Sequence, residues 1–345
     1  MERSQYKTVT TKRGLKYSYA SIPAEGTPRD TLLFVHGFPS TSYDWRNQVD
    51  SFKKAGFALI VPDLLGTGET DKPTDAALFK FSAMAADVVD ILDAENVGEV
   101  IVIGHDWGSV LASRLASYYP ERFKAYAFFA VGYSPTSADF DYEAVLALIK
   151  QFIGYETYGY WQFFCEDGAD KVIEDHLESF VSLLYPSDPA IWKTDMGPRG
   201  TAKAWLLSDK KTPLPSYLRD EVKILWYLPA ICCSPLYQDV KHITDLIKKY
   251  GIRSSLNWYK SYIDGIAEED KGIPAANQTI TKPVLYGACQ KDFVCTPGLF
   301  VPTMQKVCTN LTIKEYDTGH WVQLEATEKV NADLLEWIDG FTEKV

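Results

Sequence analysis

The stretch VIGHDWGS at residues 102–109 decides how this chain is expected to fold. The apolar run that ends near Ile103 has the composition of a buried strand. Apolar residues at three- and four-residue spacing then predict a helix over 107–118. Small residues on either side of Asp106 permit a tight turn that would lift its side chain above the edge of a sheet. An aspartate that only caps the helix is the alternative interpretation.

Apolar, β-rich runs recur along the rest of the chain, and segments with helical spacing lie between them. The runs are 31–36, 57–62, 99–103, 125–131 and 283–288, with a shorter candidate at 312–316. The helical segments include 44–55, 82–95 and 328–341. Fully apolar strands separated by helices predict an α/β fold, with a mostly parallel central sheet covered by helices. Ligands of such sheets bind at the carboxyl ends of the strands, which is where Asp106 stands.

The alternation of strands and helices stops between about 133 and 265. This region is rich in Tyr and Trp, has helical character and contains a Pro- and Gly-bearing stretch at 185–217. We expect 134–265 to form a helical cap, or lid, inserted into a discontinuous α/β core made of 1–133 and 266–345. A second domain with a function of its own is the alternative, but the aromatic bias fits the wall of a pocket better.

The composition excludes several classes of partner. The 345 residues are 46% hydrophobic, 14% aromatic and 23% charged, which is typical of a globular protein. The formal net charge of −11 would repel phosphate backbones and anionic membranes, so we expect neither a nucleic-acid nor a membrane partner. Because no apolar run approaches the roughly 20 residues that span a bilayer and no secretory signal is visible, a cytoplasmic location is predicted.

The cysteines do not indicate a metal site. The chain has six of them, without a CxxC pair or the spacing of zinc ligands, at 165, 232, 233, 289, 295 and 308. We interpret them as reduced thiols, in agreement with the predicted compartment.

Two further residues follow strand candidates in an order that suits catalysis. Asp292 comes directly after the run 283–288, and His320 follows the last strand candidate. The order of nucleophile, acid and base along the chain is that of α/β-hydrolases. We therefore predict that Asp106 is the nucleophile, that His320 is the general base and that Asp292 orients it. The other histidines are interpreted as structural at 36 and 105, and as having no role at 176 and 242.

These residues carry a resemblance that extends over nearly the whole chain. The chain resembles the soluble epoxide hydrolases of the α/β-hydrolase superfamily, and several of the shared motifs also occur in haloalkane dehalogenases. The matching stretches, in the family's order, are HGFP (36–39), WRNQ (45–48), GHDWG (104–108), YPER (119–122), LNWY (256–259), KDFV (291–294) and GHW (319–321).

The resemblance assigns roles to further residues. It implies a cis peptide bond between Phe38 and Pro39, in a turn that aims the main-chain N–H of Phe38 at the site. With the N–H of Trp107, this group would form an oxyanion hole. It also implies two cap tyrosines that donate protons to the epoxide oxygen, and LNWY matches the motif of the second, Tyr259.

The first of the two tyrosines is harder to place. The register of YGYWQFF (158–164) against the family pattern favours Tyr160, with Tyr155 and Tyr158 as close competitors. Trp161 stands where the family often has Gln. A tyrosine that only packs in the pocket wall is the alternative interpretation of Tyr160.

An aspartate as the nucleophile, in the tight turn that we call the elbow, changes the expected chemistry. A carboxylate that attacks an ester carbonyl would give an anhydride, whereas attack on a saturated electrophilic carbon gives an alkyl ester that water can cleave. We therefore expect Asp106 to open an epoxide. Neutral His320, oriented by Asp292, would activate the water that releases a vicinal diol. The expected reactants are a small apolar or aromatic epoxide and water, with no cofactor and no metal.

Two other functions compete with this one. A haloalkane dehalogenase would use the same triad, but a departing halide needs N–H donors, and the Phe38 side chain offers none. Fluoroacetate dehalogenases share HGFP but carry Arg after the nucleophile, where this chain has Trp107. A ligand-binding protein on the same fold is less favoured, because every member of the triad is present. We expect a monomer or a homodimer.

Overall fold

The computed structural model describes residues 3–135, 141–218, 235–264 and 273–342. One eight-stranded sheet runs through them in the order β1-β2-β4-β3-β5-β6-β7-β8. The strands are β1 Tyr6–Thr10, β2 Lys16–Ile22, β3 Thr31–Val35, β4 Ala58–Pro62, β5 Val100–His105, β6 Phe123–Phe129, β7 Val284–Cys289 and β8 Leu311–Tyr316. The pairs β1–β2 and β2–β4 are antiparallel, and the other neighbours are parallel. The predicted α/β fold with a mostly parallel sheet is confirmed.

The sequence pattern predicts β3 to β8 and misses β1 and β2. Most of β1 is exposed and polar, and the strand lies at one edge of the sheet. In β2 the side chains of Ser18 and Ser21 interrupt the apolar residues, although most of the strand is buried. A continuous apolar run marks a strand buried on both faces, so an edge hairpin of mixed polarity escapes that criterion.

Helices cover both faces of the sheet. One face packs against α1 (Arg46–Lys54) and α13 (Thr327–Thr342), and the other against α2 (Phe81–Ala94) and α3 (Trp107–Tyr118). The remaining helices that follow β7 are α11 (Pro297–Val307) and α12 (Val322–Glu325). Within the described part of the chain, no helix has the length and apolar character needed to cross a membrane.

In the described part of the chain between β6 and β7, every regular element is helical. The α-helices are α4 Tyr142–Ile153, α5 Tyr160–Cys165, α6 Ala169–Asp175, α7 Leu177–Leu184, α8 Thr201–Leu207, α9 Pro235–Tyr250 and α10 Asn257–Ile263. The division into a core and a 134–265 cap stays a prediction, and its boundary at 265/266 lies outside the described residues. Two of the cysteines, at 232 and 233, also lie outside them.

Candidate active site

Asp106 occupies a strained turn between β5 and α3. Its φ of 55° and ψ of −125° lie where few residues other than glycine are found. The turn is crowded, since a Cβ atom added to Gly108 would lie 2.2 Å from the main-chain oxygen of Val35. Within the described residues, the Asp106 side chain makes no capping hydrogen bond to α3. The geometry is therefore that of an elbow, and the simple helix cap is not observed.

The three predicted triad residues lie together at the carboxyl edge of the sheet. His320 Nδ1 is 2.6 Å from Asp292 Oδ2, and His320 Nε2 is 3.5 Å from Asp106 Oδ2. The main-chain N–H groups of Val294 and Cys295 donate to Asp292 Oδ1 at 3.0 and 2.8 Å. These hydrogen bonds fix the position of the Asp292 carboxylate. The carboxylate in turn orients the imidazole ring of His320, so that Nε2 points towards Asp106.

The charges of these groups stabilise one another. Burial by itself would raise the pKa of Asp106, but the hydrogen bond and charge of His320 and the N–H of Phe38 lower it below its ordinary value. Burial would lower the pKa of His320, yet the charge of Asp292 and the contact with Asp106 raise it well above its ordinary value. The Asp106 carboxylate and the His320 imidazolium therefore favour each other's charged form.

The turn at residues 36–39 brings a main-chain donor to Asp106. The Phe38–Pro39 bond is cis, as the resemblance implied. The N–H of Phe38 donates a hydrogen bond of 2.9 Å to Asp106 Oδ1. A Cβ atom on Gly37 would lie 2.3 Å from that same oxygen, so only glycine permits this approach. The other predicted donor, the N–H of Trp107, is at the first position of α3, where a helix leaves its N–H groups without internal partners.

Tyr160 and Tyr259 are brought together although they are far apart in the sequence. Tyr160 begins α5, Tyr259 lies in α10, and their ring centroids are 6.0 Å apart. Both side chains are buried, and burial raises the pKa of each hydroxyl well above its ordinary value, with a further contribution from the Asp106 charge. A hydrogen bond with Trp107 acts in the opposite direction on the pKa of Tyr259. Two neutral phenols therefore lie close to the Asp106 carboxylate.

The two competing tyrosines are placed differently. The hydroxyl of Tyr155 donates a hydrogen bond of 2.9 Å to the main-chain oxygen of Phe293. Tyr158 lines the same cavity as Tyr160, and its hydroxyl interacts with the thiol of Cys295. The hydroxyl proton of Tyr155 is thus engaged by the main chain. Tyr158 is therefore the stronger alternative to Tyr160 as the first proton donor.

A cavity of about 160 Å³ opens beside Asp106. Its walls come from α3, α4, α5, α10 and α11 and from the loops after β6 and β7. Its lining consists mainly of aromatic and aliphatic side chains, namely Trp107, Val110, Val131, Ser134, Tyr142, Val145, Tyr158, Tyr160, Trp161, Tyr262, Cys295 and Phe300. Such a concave, apolar space with a few polar groups is typical of a small-molecule site.

Sequence reasoning missed Cys295 as part of this site. Its thiol lies beside His320, and burial raises its pKa to about 12. A metal ion would fit the spacing of three side-chain atoms here, one each from Asp292, Cys295 and His320, which all lie within 4.8 Å of one another. The atoms of Asp292 and His320 are already bonded to each other, so we interpret this group as the triad and its lining. The position of Cys295, three residues after Asp292, was the available signal.

Three of the four remaining histidines make hydrogen bonds other than those within the triad, and their interpretation as structural or without a role stays a prediction. His105 Nε2 donates to the main-chain oxygen of His320 at 2.8 Å, and burial lowers the pKa of His105 to about 3. His36 Nε2 accepts the N–H of Leu64 at 3.0 Å. His176 pairs with Asp209 at 2.7 Å.

Comparison with known proteins identifies the family. The sequence model of the family described as alpha/beta hydrolase fold matches residues 30–327. This chain therefore belongs to the alpha/beta hydrolase fold family.

Individual relatives make the comparison more specific. The chain is 27% identical over 338 residues to "Bifunctional epoxide hydrolase 2" of Mus musculus, a match that covers 96% of this chain and 54% of the relative. The chain thus spans about half the length of the first curated relatives that it matches. It is 26% identical over 317 residues to "Epoxide hydrolase" of Caballeronia sordidicola, covering 89% of this chain and 87% of that one.

Solved structures show the same fold. Epoxide Hydrolase A from Mycobacterium thermoresistibile superposes with a TM-score of 0.75 at 25% identity, covering 97% of this chain and 98% of the other. An epoxide hydrolase from an endophytic Streptomyces has a TM-score of 0.77 at 24% identity, covering 98% and 96%. The predicted fold and the resemblance to epoxide hydrolases are confirmed.

Proposed function

We propose that this chain is an epoxide hydrolase, which adds water to an apolar or aromatic epoxide and releases a vicinal diol through an ester on Asp106. One observation carries the proposal. The elbow holds a carboxylate, hydrogen-bonded to the Phe38 N–H and facing His320, and two buried phenols, Tyr160 and Tyr259, lie close by. The names of the relatives support the same reaction.

In the first half-reaction, Asp106 attacks a ring carbon of the epoxide. We assign the attack to Oδ2, because Oδ1 already accepts the N–H of Phe38. The new C–O bond forms as the C–O bond of the ring breaks, and Tyr160 or Tyr259 donates its proton to the oxygen that is released. Because burial raises the pKa of both phenols, they are protonated donors at neutral pH.

In the second half-reaction, His320 activates water. Ester formation removes the negative charge of Asp106, one of the groups that raise the pKa of His320. The imidazole becomes neutral by returning a proton to the phenolate that the first half-reaction leaves, and it can then take a proton from water. Hydroxide attacks the ester carbonyl, and the charge that develops on Oδ1 is held by the N–H groups of Phe38 and Trp107. When the acyl C–O bond breaks, the released oxygen takes up the proton of the hydroxyl group that added to the carbonyl, so the diol leaves and the carboxylate is restored.

We also propose that 134–265 act as the cap of this enzyme. Three contacts support the proposal, since they join the helical region to the strand ends of the core. Trp321 Nε1 donates to the oxygen of Leu184 at 2.8 Å, and Trp258 Nε1 donates to the oxygen of Leu65 at 2.9 Å. The ring of Trp192 lies 5.5 Å from that of His320. A cap in this position would exclude bulk water from the ester intermediate.

The decisive experiment is a single turnover in ¹⁸O-water, with enzyme in excess over an epoxide. The proposal predicts diol formation and ¹⁸O in the carboxylate of Asp106, since the water oxygen adds to the ester carbonyl. The Asp106→Ala variant should form no diol. Diol formation without label in Asp106 would contradict the covalent step, and activity in the variant would contradict the nucleophile.

One observation supports haloalkane dehalogenation as a second candidate. Trp161 Nε1 is buried and makes no hydrogen bond of standard geometry within the described residues. It faces the Tyr160 hydroxyl, whose pKa it lowers against the effect of burial. An N–H group in the wall of this cavity would suit a departing halide. Assays of short haloalkanes beside the epoxides separate the two functions, since halide release without diol formation would favour this candidate.

A further inference from the structure

The cavity beside Asp106 has room for one aromatic ring. Its volume is about 160 Å³, and an apolar cavity of about 150 Å³ is known to hold benzene. Two of the hydroxyl groups in its wall already have hydrogen-bond partners. The hydroxyl of Tyr142 donates to the oxygen of Tyr158 at 2.8 Å, and the hydroxyl of Tyr262 is 3.4 Å from Ser134 Oγ. A ligand in this space is therefore held by apolar and aromatic contact.

On the side of Asp106 that faces Phe38, aromatic side chains fill the space. The ring of Phe38 lies 5.5 Å from that of Phe164, 6.5 Å from that of Phe180 and 5.1 Å from that of Tyr259, measured between centroids. Phe164 in turn lies 6.2 Å from Phe180 and 5.0 Å from Tyr259. All four side chains are at most 4% exposed. Rings at these distances are in direct contact, so they form a packed aromatic wall.

Asp106 and Tyr160 lie between the cavity and this wall. Both line the cavity, and both also touch the wall, since Asp106 bonds to Phe38 and the ring of Tyr160 is 5.2 Å from that of Phe164. An epoxide opened by Asp106 and protonated by Tyr160 must lie at this junction. A substituent on one of its carbons then enters the cavity, whereas a bulky substituent on the other carbon meets the wall.

We infer that the site selects terminal epoxides with a single apolar substituent about the size of a phenyl ring, and that it rejects epoxides with bulky groups on both carbons. The inference rests on the proposed function and names its substrate class. Phe164 is the phenylalanine of the wall whose ring lies 5.2 Å from that of Tyr160, so we assign it as the main determinant of the selectivity.

The first test compares styrene oxide with trans-stilbene oxide, which carries a second phenyl group on the other carbon. The wild-type enzyme should show a kcat/KM at least about 100-fold higher for styrene oxide, because a ring cannot enter a packed wall without displacing side chains. Values of kcat/KM within threefold of each other would overturn the inference.

The second test opens the wall. Phe164→Ala should raise kcat/KM for trans-stilbene oxide relative to styrene oxide at least about tenfold, and Phe164→Leu is the milder variant should the first fold poorly. Phe300→Ala is the matched control, because it enlarges the existing cavity. It should improve turnover of 2-naphthyloxirane without admitting trans-stilbene oxide. A Phe164→Ala enzyme that turns over styrene oxide with an unchanged ratio would contradict the inference.

A binding measurement distinguishes failure of the proposed epoxide hydrolase function from failure of the inferred shape of the site. Phenylethanediol and hydrobenzoin are the diols of the two test epoxides, and their binding can be followed by the fluorescence of Trp107 and Trp161, which line the cavity. We expect phenylethanediol to bind at least tenfold more tightly. If no epoxide is hydrolysed but this preference holds, the proposed function fails and the inferred shape of the site stands. Equal binding would overturn the shape itself.

Discussion

Asp106 Oδ1 accepts a hydrogen bond of 2.9 Å from the main-chain N–H of Phe38, a residue 68 positions earlier in the chain. This bond gives the two carboxylate oxygens different surroundings, because Oδ2 faces His320 at 3.5 Å. In an ester formed through Oδ2, the carbonyl oxygen would already lie against a donor. A donor that is in place before the reaction needs no reorganisation when charge develops on that oxygen.

Asp106 acts in the first half-reaction and His320 in the second, so a variant without His320 should accumulate the ester. In His320→Gln the nucleophile is retained but the base for the second half-reaction is lost, so kcat should fall at least about 10³-fold. Mass spectrometry of the intact protein should show an increase by the mass of one epoxide. The double variant Asp106→Ala/His320→Gln is the control and should remain unlabelled. An unmodified His320→Gln protein with low activity would contradict the assigned order of steps.

Replacing the two phenols should slow the opening of the ring. Tyr160→Phe and Tyr259→Phe should each lower the rate of ester formation about 100-fold, since one proton donor is removed and the packing is kept. Rapid-quench measurement of the first half-reaction isolates this step. Tyr155→Phe is the matched control and should react normally, because its hydroxyl bonds to the oxygen of Phe293. If Tyr158→Phe shows the loss and Tyr160→Phe does not, the register of the first tyrosine is wrong.

The pH dependence of ester hydrolysis should follow His320. Burial lowers the pKa of His320, and in the ester, where the Asp106 charge is gone, the charge of Asp292 is the largest effect that still raises this pKa. Only the neutral imidazole takes a proton from water, so the hydrolysis rate should rise with pH through this pKa. Asp292→Asn removes a charge that raises the pKa, and the acidic limb should therefore shift to lower pH.

The Asp292→Asn variant should also have a plateau rate about 10²- to 10⁴-fold lower, because the orienting carboxylate is lost. Single-turnover hydrolysis measured from pH 5 to 9 would check both effects. An acidic limb that stays in place or moves to higher pH would show that another group controls the step.

The sequence predicts the position of the triad better than the shape of the pocket. Apolar runs that end in turn motifs place Asp106, Asp292 and His320 at one edge of a parallel sheet, because parallel strands share that edge. No local pattern does the same for Tyr160 and Tyr259. They lie on separate helices, and their approach to 6.0 Å depends on how those helices pack.

The register of the first tyrosine shows the same limit. Three tyrosines occur within residues 155–160, and sequence spacing alone does not distinguish them. The structure separates Tyr155 from the others through its bond to Phe293, a contact 138 residues away in the chain. The aromatic wall formed by Phe38, Phe164, Phe180 and Tyr259 likewise depends on tertiary contacts, whereas composition indicates only that aromatic residues are abundant.

Gly37 offers a test of the bond between Phe38 and Asp106 that changes neither residue. In Gly37→Ala the new Cβ would lie 2.3 Å from Asp106 Oδ1 and 2.5 Å from Asp106 Cβ, closer than non-bonded atoms approach. Either the carboxylate or the turn must move, and both movements break the hydrogen bond. We expect kcat to fall about 100-fold, as for a displacement of about 1 Å in a catalytic group, and the free energy of unfolding to fall by about 1–3 kcal/mol.

Gly56→Ala is the matched control for that prediction. Its φ is 91°, and an added Cβ would lie 2.5 Å from the main-chain oxygen of Thr27, a crowding similar to that at Gly37. Gly56 lies in the turn between α1 and β4, so the variant should lose a comparable free energy of unfolding while the folded fraction keeps its kcat. Urea unfolding and kcat per folded molecule, measured on both variants, separate the two effects. A Gly37→Ala enzyme that is destabilised but fully active would mean that the Phe38 N–H contributes to folding and not to catalysis.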